Sequence, residues 1–233
     1  MMRAELAKNL LLGRLGTGDL HSLLPESEPV TLRAGAKVMV AGQKVAHVYF
    51  PIDCAISLLV ETGDRPPVEI GLVGREGMLG VPLILGARQS SASGLVQAPG
   101  LAWRVEAGHF MQCLRDSEPL RRRMQCYVHV YMTQLTEAAA CKHFHKLTER
   151  LARWLLMSAD RLQSSELALT HEYLSYMLGV RRAGTTLAAR GLQERGLIDY
   201  SRGHIELLDR DGLESASCPC YAREKKRYAY LMR

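Results

Sequence analysis

The chain has 233 residues, enough for two domains, and 47% of them are hydrophobic, an ordinary share for a globular protein. Its 30 lysines and arginines outnumber its 24 aspartates and glutamates, and the net charge of +6 favours an anionic partner. No apolar run reaches the roughly 18 residues of a membrane span, and the apolar run near the N-terminus is too short for a signal peptide. The sequence therefore predicts a cytoplasmic protein with reduced cysteines.

The first part of the chain reads as a β-domain. Residues 4–15 and 19–24 have the pattern of short helices that end at Pro25. From residue 28 to residue 105, short β-rich runs alternate with glycine, proline and aspartate, and residues 78–85 suit one short helix. Several short strands with regular turn signals are typical of a small β-barrel or sandwich. We therefore assign residues 1–105 to an N-terminal barrel.

From residue 106 onward, apolar residues recur with the period of an α-helix. Residues 107–114 predict a short helix, and residues 118–145 predict a long one, along which apolar side chains recur every three or four residues. Such a repeat packs either against the chain's own barrel or against a partner helix, and here we favour the seam of a symmetric dimer. The predicted seam residues are Leu120, Met124, Tyr127, Tyr131, Leu135 and Ala138. The assigned segment is 106–145.

Residues 169–208 have the pattern of helix, three-residue turn, helix and β-hairpin. Thr170 is a good N-cap, and Gly179 suits the end of the first helix. The second helix is predicted at about residues 182–195, and a hairpin tip at Arg202-Gly203. The side chains expected to face inward on the second helix are Leu187, Ala188 and Leu192. This pattern predicts a winged helix-turn-helix, which places an α-helix in the DNA major groove; the alternative is a helical hairpin that only packs.

Three strings of the sequence occur in this order: VYFPIDCAISLLVETGDRPPVEIGLVGREGMLGVPLILG in the barrel, KLTERLARWLL after the long helix, and LGVRRAGTTLAARGLQERGLI in the helix-turn-helix, called the reader below. Together they resemble the Crp/Fnr family of bacterial transcription regulators over residues 10–208. The resemblance implies an α+β chain with a jelly-roll (double-stranded β-helix) sensor barrel of the cyclic-nucleotide-binding type, a dimerisation helix, a winged helix-turn-helix at 146–216 and a basic tail at 217–233. It also implies a homodimer and RNA polymerase as a further partner.

The barrel departs from well-known members of that family. It lacks the Gly-Glu-Leu turn and the Arg-Ser or Arg-Thr pair that hold cyclic AMP. Arg88, Ser90 and Ser91 remain as a candidate effector pocket, since arginine and hydroxyl groups suit an anion. No cysteine precedes Cys54, so the N-terminal iron–sulfur centre of the family's oxygen sensors is not expected. We therefore expect no cofactor, and the sequence does not identify an effector.

The reader helix departs from the family as well. The family usually has glutamate at the position of Ala183 and arginine at that of Leu187, so the operator sequence cannot be carried over. Arginine can hold guanine and threonine can contact a thymine methyl, while a glycine lets the backbone approach closely. The predicted contacts near bases are Arg181, Arg182, Gly184, Thr185 and Thr186. The predicted phosphate contacts are Arg190, Arg202 and His204.

Several cysteines and histidines have spacings that can seat a metal on a helix. They are Cys126 with His129 and Cys141 with His145. Small core cysteines and solvated histidines produce the same spacings, so we predict no metal site. Cys218-Pro-Cys220 is either a redox pair or a loop. The tail after it either contacts phosphate groups of DNA or packs back on the protein as a terminal helix, and for the tail we favour the helix.

The sequence contains no G-x-S-x-G, no Walker loop and no H-E-x-x-H, so it predicts no catalytic residue and no enzyme. The function that the sequence favours is a homodimeric, sequence-specific DNA-binding transcription regulator that reads an inverted repeat. The alternative is a ligand-binding regulatory module whose helical C-terminus docks a protein partner.

Overall fold

Short helical turns lead into the β-domain. The computed structural model describes residues 5–61, 63 and 67–232. A 3₁₀ turn at Leu12–Arg14, helix α1 (Thr17–Leu23) and a second 3₁₀ turn at Leu24–Glu26 come first. Leu20 and Leu23 of α1 are buried in the barrel core, so this segment closes one side of the barrel.

The barrel is built from two antiparallel sheets. The strands are β1 (Ser27–Leu32), β2 (Lys37–Met39), β3 (His47–Pro51), β4 (Ala55–Val60), β5 (Val68–Val73), β6 (Ser93–Ala98) and β7 (Gly100–Glu106). One sheet has the order β1-β7-β3 and the other β2-β6-β4-β5. Phe50, Ile56 and Leu79 are among the side chains that fill the space between them. The predicted β-rich domain is confirmed, and the short helix within it, α2, covers Val81–Ile84.

Strand β4 has the sequence AISLLV and is buried on both of its faces, with Ser57 as the polar residue among apolar ones. Ile56 and Leu58 belong to the barrel core, whereas Leu59 belongs to the core of the C-terminal domain. The strand is thus covered by the barrel on one face and by the C-terminal domain on the other. A strand in such a place reads as a continuous hydrophobic run rather than an alternating one.

Two helices follow the barrel. Helix α3 (Ala107–Asp116) is capped by the Glu106 carboxylate, which accepts from the backbone N–H of His109. Helix α4 (Glu118–Phe144) is capped by the Ser117 hydroxyl, which accepts from the N–H of Leu120. Such side-chain caps satisfy N–H groups that have no partner within the helix.

The first half of α4 packs against its own barrel. Leu120, Met124 and Tyr127 are buried in the barrel core, and the Tyr127 hydroxyl donates to the carbonyl of Met78. A Cβ at Gly77 would lie 2.0 Å from that hydroxyl, so the contact requires glycine there. The prediction that these three residues form a dimer seam is therefore wrong, because their own subunit already buries them.

The second half of α4 is only partly covered. Tyr131, Leu135 and Ala138 are half-buried, and Leu135 lies over Gly71 of β5. The opposite face is exposed over residues 125–144 and includes Met132, which is 58% exposed, and Phe144, which is 83% exposed. The apolar repeat predicted from the sequence is thus real, but its main face points toward the barrel.

The C-terminal domain is a helical core with a small sheet. Its elements are α5 (Leu147–Leu162), β8 (Glu166–Ala168), α6 (His171–Leu178), α7 (Arg182–Gln193), β9 (Ile198–Ser201), β10 (His204–Leu207), α8 (Arg210–Ala216) and α9 (Cys220–Leu231). Strands β8, β10 and β9 form an antiparallel sheet in that order. Strand β8 and helix α8 were not predicted from the sequence, since three and seven residues carry little periodicity.

Helix α9 returns to the barrel. Its Glu224 pairs with the buried Arg153 and Arg161 of α5, and Arg161 also pairs with Glu76, at 2.9 Å. Met232 is buried in the barrel core. The tail therefore packs back as a helix, as predicted. Among the described helices, none is both long and apolar enough to span a lipid bilayer.

Candidate nucleic-acid interface

Helices α6 and α7 are joined by the three-residue turn 179–181. The Thr170 hydroxyl accepts from the N–H of Tyr173 at 3.1 Å and starts α6. Gly179 ends α6 with φ = +65°, a left-handed conformation that glycine adopts without strain. The N–H of Val180 donates to the carbonyl of Ser175 and closes the turn. Arg181 then occupies the N-cap position of α7.

Helix α7 has one buried face and one exposed face. The buried side chains are Thr185, Ala188, Ala189 and Leu192. The exposed residues are Arg181 at the N-cap and, within the helix, Arg182, Ala183, Thr186, Leu187, Arg190 and Gln193. The exposed face carries three guanidinium groups along one helix, the kind of surface that neutralises phosphates.

Three predictions for α7 need correction. Leu187 was expected to face inward and is 71% exposed. Thr185 was expected to contact bases and is fully buried, and its hydroxyl has no hydrogen-bond partner among the described residues. Gly184 was expected to admit the DNA backbone, but a Cβ there would lie 3.2 Å from Leu147, so the glycine instead permits the close approach of α5.

The wing lies after α7. Strands β9 and β10 pair antiparallel, with Ser201 opposite His204, and the two residues between them have positive φ, +47° for Arg202 and +82° for Gly203. Two-residue hairpin turns of this handedness match the twist of the strands. Arg202 is exposed at the tip, and His204, also exposed, lies 3.9 Å from the carboxylate of Glu166. The predicted hairpin is confirmed, and its tip presents a cation.

Two side chains on the exposed face of α7 have local partners. The Arg190 guanidinium donates to the Glu194 carboxylate at 2.9 Å, and the Thr186 hydroxyl donates to the carbonyl of Arg182. The pair formed by Arg190 and Glu194 is solvent-exposed, and such pairs contribute only about 0–1 kcal/mol. Arg190 can therefore leave Glu194 for a phosphate at little cost.

The predicted effector residues do not converge on one pocket. The Ser90 hydroxyl is buried and engages both the carbonyl and the N–H of Ala92, so it is used within its own turn. Arg88 and Ser91 are exposed, and Arg88 lines a hollow with Lys44 and Arg115. The inclusion of Ser90 in an effector pocket is therefore wrong.

Apolar side chains fill part of the barrel interior. Leu79 and Met39 lie over Gly94 of β6, where an added Cβ would meet them at 2.9 and 3.3 Å. Both side chains are buried. At this place the barrel interior is thus packed with apolar side chains.

The chain is similar to known proteins both in the sequence of its C-terminal domain and in its fold. Residues 149–216 match the family model of the Crp-like helix-turn-helix domain. No curated protein sequence matches the chain. The solved structures that it resembles include a putative Crp/Fnr-family transcriptional regulator from Eubacterium rectale, with TM-score 0.70 and 18% identity over 90% of this chain and 98% of that one.

Two further structures are similar to the chain over most of its length. FixK2 from Bradyrhizobium japonicum has TM-score 0.71 and 13% identity, and covers 82% of this chain and 98% of its own. The c-di-GMP responsive regulator CLP from Xanthomonas campestris has TM-score 0.67 and 16% identity, and covers 82% and 99%. Because the sequence identity to these structures is low, the similarity establishes the fold alone. The C-terminal domain is matched in sequence as well, by the family model. The chain is therefore a DNA-binding transcription regulator, with a Crp-like helix-turn-helix domain at residues 149–216 and an overall fold that it shares with these solved structures.

Proposed function

We propose that this regulator is a cytoplasmic bacterial homodimer, not an enzyme, that reads an inverted repeat with α7 of each subunit in one major groove. The observation that carries the proposal is the division of α7 into a buried face and an exposed face with Arg181, Arg182 and Arg190. In dimeric helix-turn-helix proteins the two half-sites lie about one helical turn apart, roughly 34 Å. The inverted repeat follows from the two-fold symmetry of such a dimer.

The exposed residues of α7 and the wing divide into two roles. Arg182 and Arg181, at the N-terminal end of α7, are the candidates for guanine, which an arginine can hold with two hydrogen bonds. Thr186 and the exposed Leu187 suit a thymine methyl group. The candidates for phosphate, which positions the protein without specifying sequence, are Arg190, Arg202 and His204.

The dimer seam in this proposal is the exposed face of α4 rather than the face predicted from the sequence. His129, Met132, Thr136, Ala139 and His143 follow one another at spacings of 3, 4, 3 and 4 residues and all are exposed. This is the spacing at which two helices pack in a coiled coil. Two copies of Met132, at 58% exposure, are covered when that face meets a second copy.

The partners of the regulator in this proposal are double-stranded DNA, a second copy of itself and RNA polymerase. The barrel serves as the sensor, and a signal there changes the packing of α4 and so the position of the two α7 helices.

Selection of bound sequences from random duplex DNA, at two salt concentrations, tests the proposal. We expect an enriched inverted repeat with half-site centres about one turn apart, and a steep fall in affinity as salt rises, because phosphate contacts release counterions. Arg115→Ala, which changes an exposed arginine on α3, is the matched control and should select the same repeat.

Enrichment of a single half-site without symmetry would contradict the dimeric reader. Binding that is lost uniformly for all sequences as salt rises would contradict sequence-specific reading. No binding of duplex DNA at either salt concentration would favour the docking of a protein partner instead.

A further inference from the structure

Four metal-ligating side chains meet where the long helix ends. Cys141 lies in the last turn of α4, His145 follows that helix, and Cys218 and Cys220 flank the proline between α8 and α9. Their sulfur and nitrogen atoms all lie within 4.8 Å of one another. The Sγ atoms of Cys141 and Cys218 are 3.5 Å apart, and the Cys220 Sγ is 3.7 Å from the His145 Nδ1.

These distances fit a tetrahedral zinc site. Zinc bonds of about 2.3 Å to sulfur and about 2.0 Å to nitrogen make the edges of a tetrahedron roughly 3.5–3.8 Å long. Three sulfurs and one imidazole are a common ligand set of structural zinc sites, in which protein side chains fill all four coordination positions. The three cysteines here are 1–2% exposed and form a buried cluster of their own.

The charges around the cluster suit thiolates. Three thiolates and one Zn²⁺ carry a net charge of −1, and the Arg223 guanidinium donates to the Cys220 Sγ at 3.2 Å. Arg150 and Arg153 of α5 are close enough to interact electrostatically with Cys141 and Cys218.

We propose that Cys141, His145, Cys218 and Cys220 bind one structural zinc ion per chain. The sequence spacing of Cys141 and His145 alone did not indicate a site, because Cys218 lies 77 residues beyond Cys141 and Cys220 lies 75 residues beyond His145. The ion joins the end of α4 to the start of α9, next to the point where α4 gives way to α5. It therefore holds α9 in place and fixes the junction between the barrel and the reader. This proposal does not depend on the DNA-binding mode.

A disulfide is the competing chemistry for the same cysteines. It would use two of the three sulfurs and would leave the third sulfur and His145 without a role. Zinc uses all four groups, and for that reason we favour it. The two chemistries are distinguished by the metal content and by the thiol count of the same protein.

The test measures metal in the full-length protein, expressed with added zinc and purified with reductant. We expect about one zinc per chain by mass spectrometry of the metal. Exchange with Co²⁺ should give the intense sulfur-to-cobalt absorption and the visible bands of a tetrahedral thiolate site. Cys218→Ser should lose both the zinc and the cobalt spectrum. Cys126→Ser, which removes the exposed cysteine of α4, is the control and should keep both.

A ligand-swap variant keeps the proposal testable if Cys218→Ser fails to fold. Cys220→His preserves four ligands, so it should bind one Co²⁺ with a weaker sulfur-to-cobalt absorption. A purely structural role of Cys220 does not predict that spectral change.

Two results would overturn the zinc site. One is a wild-type protein with less than about a tenth of a zinc per chain and no cobalt spectrum after complete reduction. The other is a Cys218→Ser protein that keeps the same zinc content as the wild type. A disulfide between Cys141 and Cys218 in protein that takes up no Co²⁺ on reduction would assign the cluster to redox chemistry.

Discussion

Helix α7 presents arginines on its exposed face, and its buried face consists mostly of small side chains. The arginine-rich start of the helix was recognisable, and Arg181 and Arg182 are exposed as expected. Of the three residues predicted to face inward, Ala188 and Leu192 are buried, but Leu187 is exposed. The helix buries Thr185 as well. Small residues pack there because α5 lies close, with Leu147 next to Gly184. Side-chain hydrophobicity alone does not reveal such a close helix contact.

The buried Thr185 hydroxyl leads to a prediction about stability. Thr185→Val replaces a hydroxyl that has no hydrogen-bond partner among the described residues with a methyl group of similar shape. Removing a buried, unsatisfied polar group is neutral or stabilising. We expect an unchanged or higher melting temperature and unchanged operator affinity, measured by calorimetry and by a binding titration. A loss of affinity for the operator but not for random DNA would mean that Thr185 reads bases after all.

The two proposed roles of arginine separate in binding measurements. Arg182→Ala should cost about 1–3 kcal/mol on the operator and relax the base preference at one position. Arg202→Ala should weaken operator and random DNA alike, and should reduce the slope of log affinity against log salt by about one. Titrations of both variants on both DNAs at several salt concentrations measure this. Equal effects of the two substitutions on specific and random DNA would refute the assignment.

At the scale of elements, the long helix α4 was predicted well and its partner was not. The sequence predicts residues 118–145 and the structure has Glu118–Phe144. A heptad-like repeat shows which face is apolar, but it does not show whether the barrel or a second copy covers that face. Here Leu120 and Met124 enter the barrel core, and a different face is left for a second subunit. The distinction needs the position of the barrel, which no local pattern contains.

Crosslinking tests whether the exposed face of α4 forms the dimer seam. Thr136→Cys, in a Cys126→Ser background that removes the native exposed thiol, places one cysteine at the centre of the proposed seam. Because equivalent residues of a symmetric seam lie close to the two-fold axis, mild oxidation should give a disulfide-linked dimer on non-reducing gels. Gln112→Cys on α3 in the same background is the control and should stay monomeric on the gel. Equal crosslinking of the two variants, or none for Thr136→Cys, would argue against this seam.

At the scale of the whole molecule, the order of the domains follows from the sequence but their contact does not. Barrel, long helix and winged helix-turn-helix each have a local pattern, so their order could be predicted. The C-terminal domain also packs on the barrel: the Tyr173 hydroxyl lies 3.0 Å from that of Ser57, and the Trp154 indole donates to Glu69 at 2.9 Å. These pairs are 116 and 85 residues apart in the chain, beyond the reach of any periodicity.

Glu69 makes that contact sensitive to pH. Burial raises the pKa of its carboxyl from 4.5 to about 7, and only one of its oxygens has a hydrogen-bond partner among the described residues. Below pH 4.5 the group is protonated in both the folded and the unfolded state. As the pH rises from 4.5 to 7, the carboxyl ionises in the unfolded state only, so the free energy of unfolding decreases. Above pH 7 the carboxyl is ionised in both states, and the free energy of unfolding decreases no further on its account. One pKa unit corresponds to about 1.4 kcal/mol.

Glu69→Gln removes this titration and keeps an oxygen for the Trp154 indole. We expect the variant to gain stability over the wild type as the pH rises from about 5 to 7, and to keep a constant advantage above that. Urea unfolding followed by tryptophan fluorescence at several pH values measures it. Glu61→Gln, at an exposed glutamate, is the control and should show no such trend. A difference between Glu69→Gln and the wild type that does not change with pH would contradict the account.

The most direct measurement of the central claim is the affinity of the full-length protein for its selected operator as the spacing between half-sites is varied. Two α7 helices on a two-fold dimer predict tight binding when the half-site centres are about 10 base pairs apart. Five inserted base pairs place one half-site on the opposite side of the duplex, and affinity should then fall at least tenfold, toward that for random DNA. Affinity that does not depend on the spacing, or a single half-site that binds as tightly as the pair, would contradict a dimer that reads an inverted repeat.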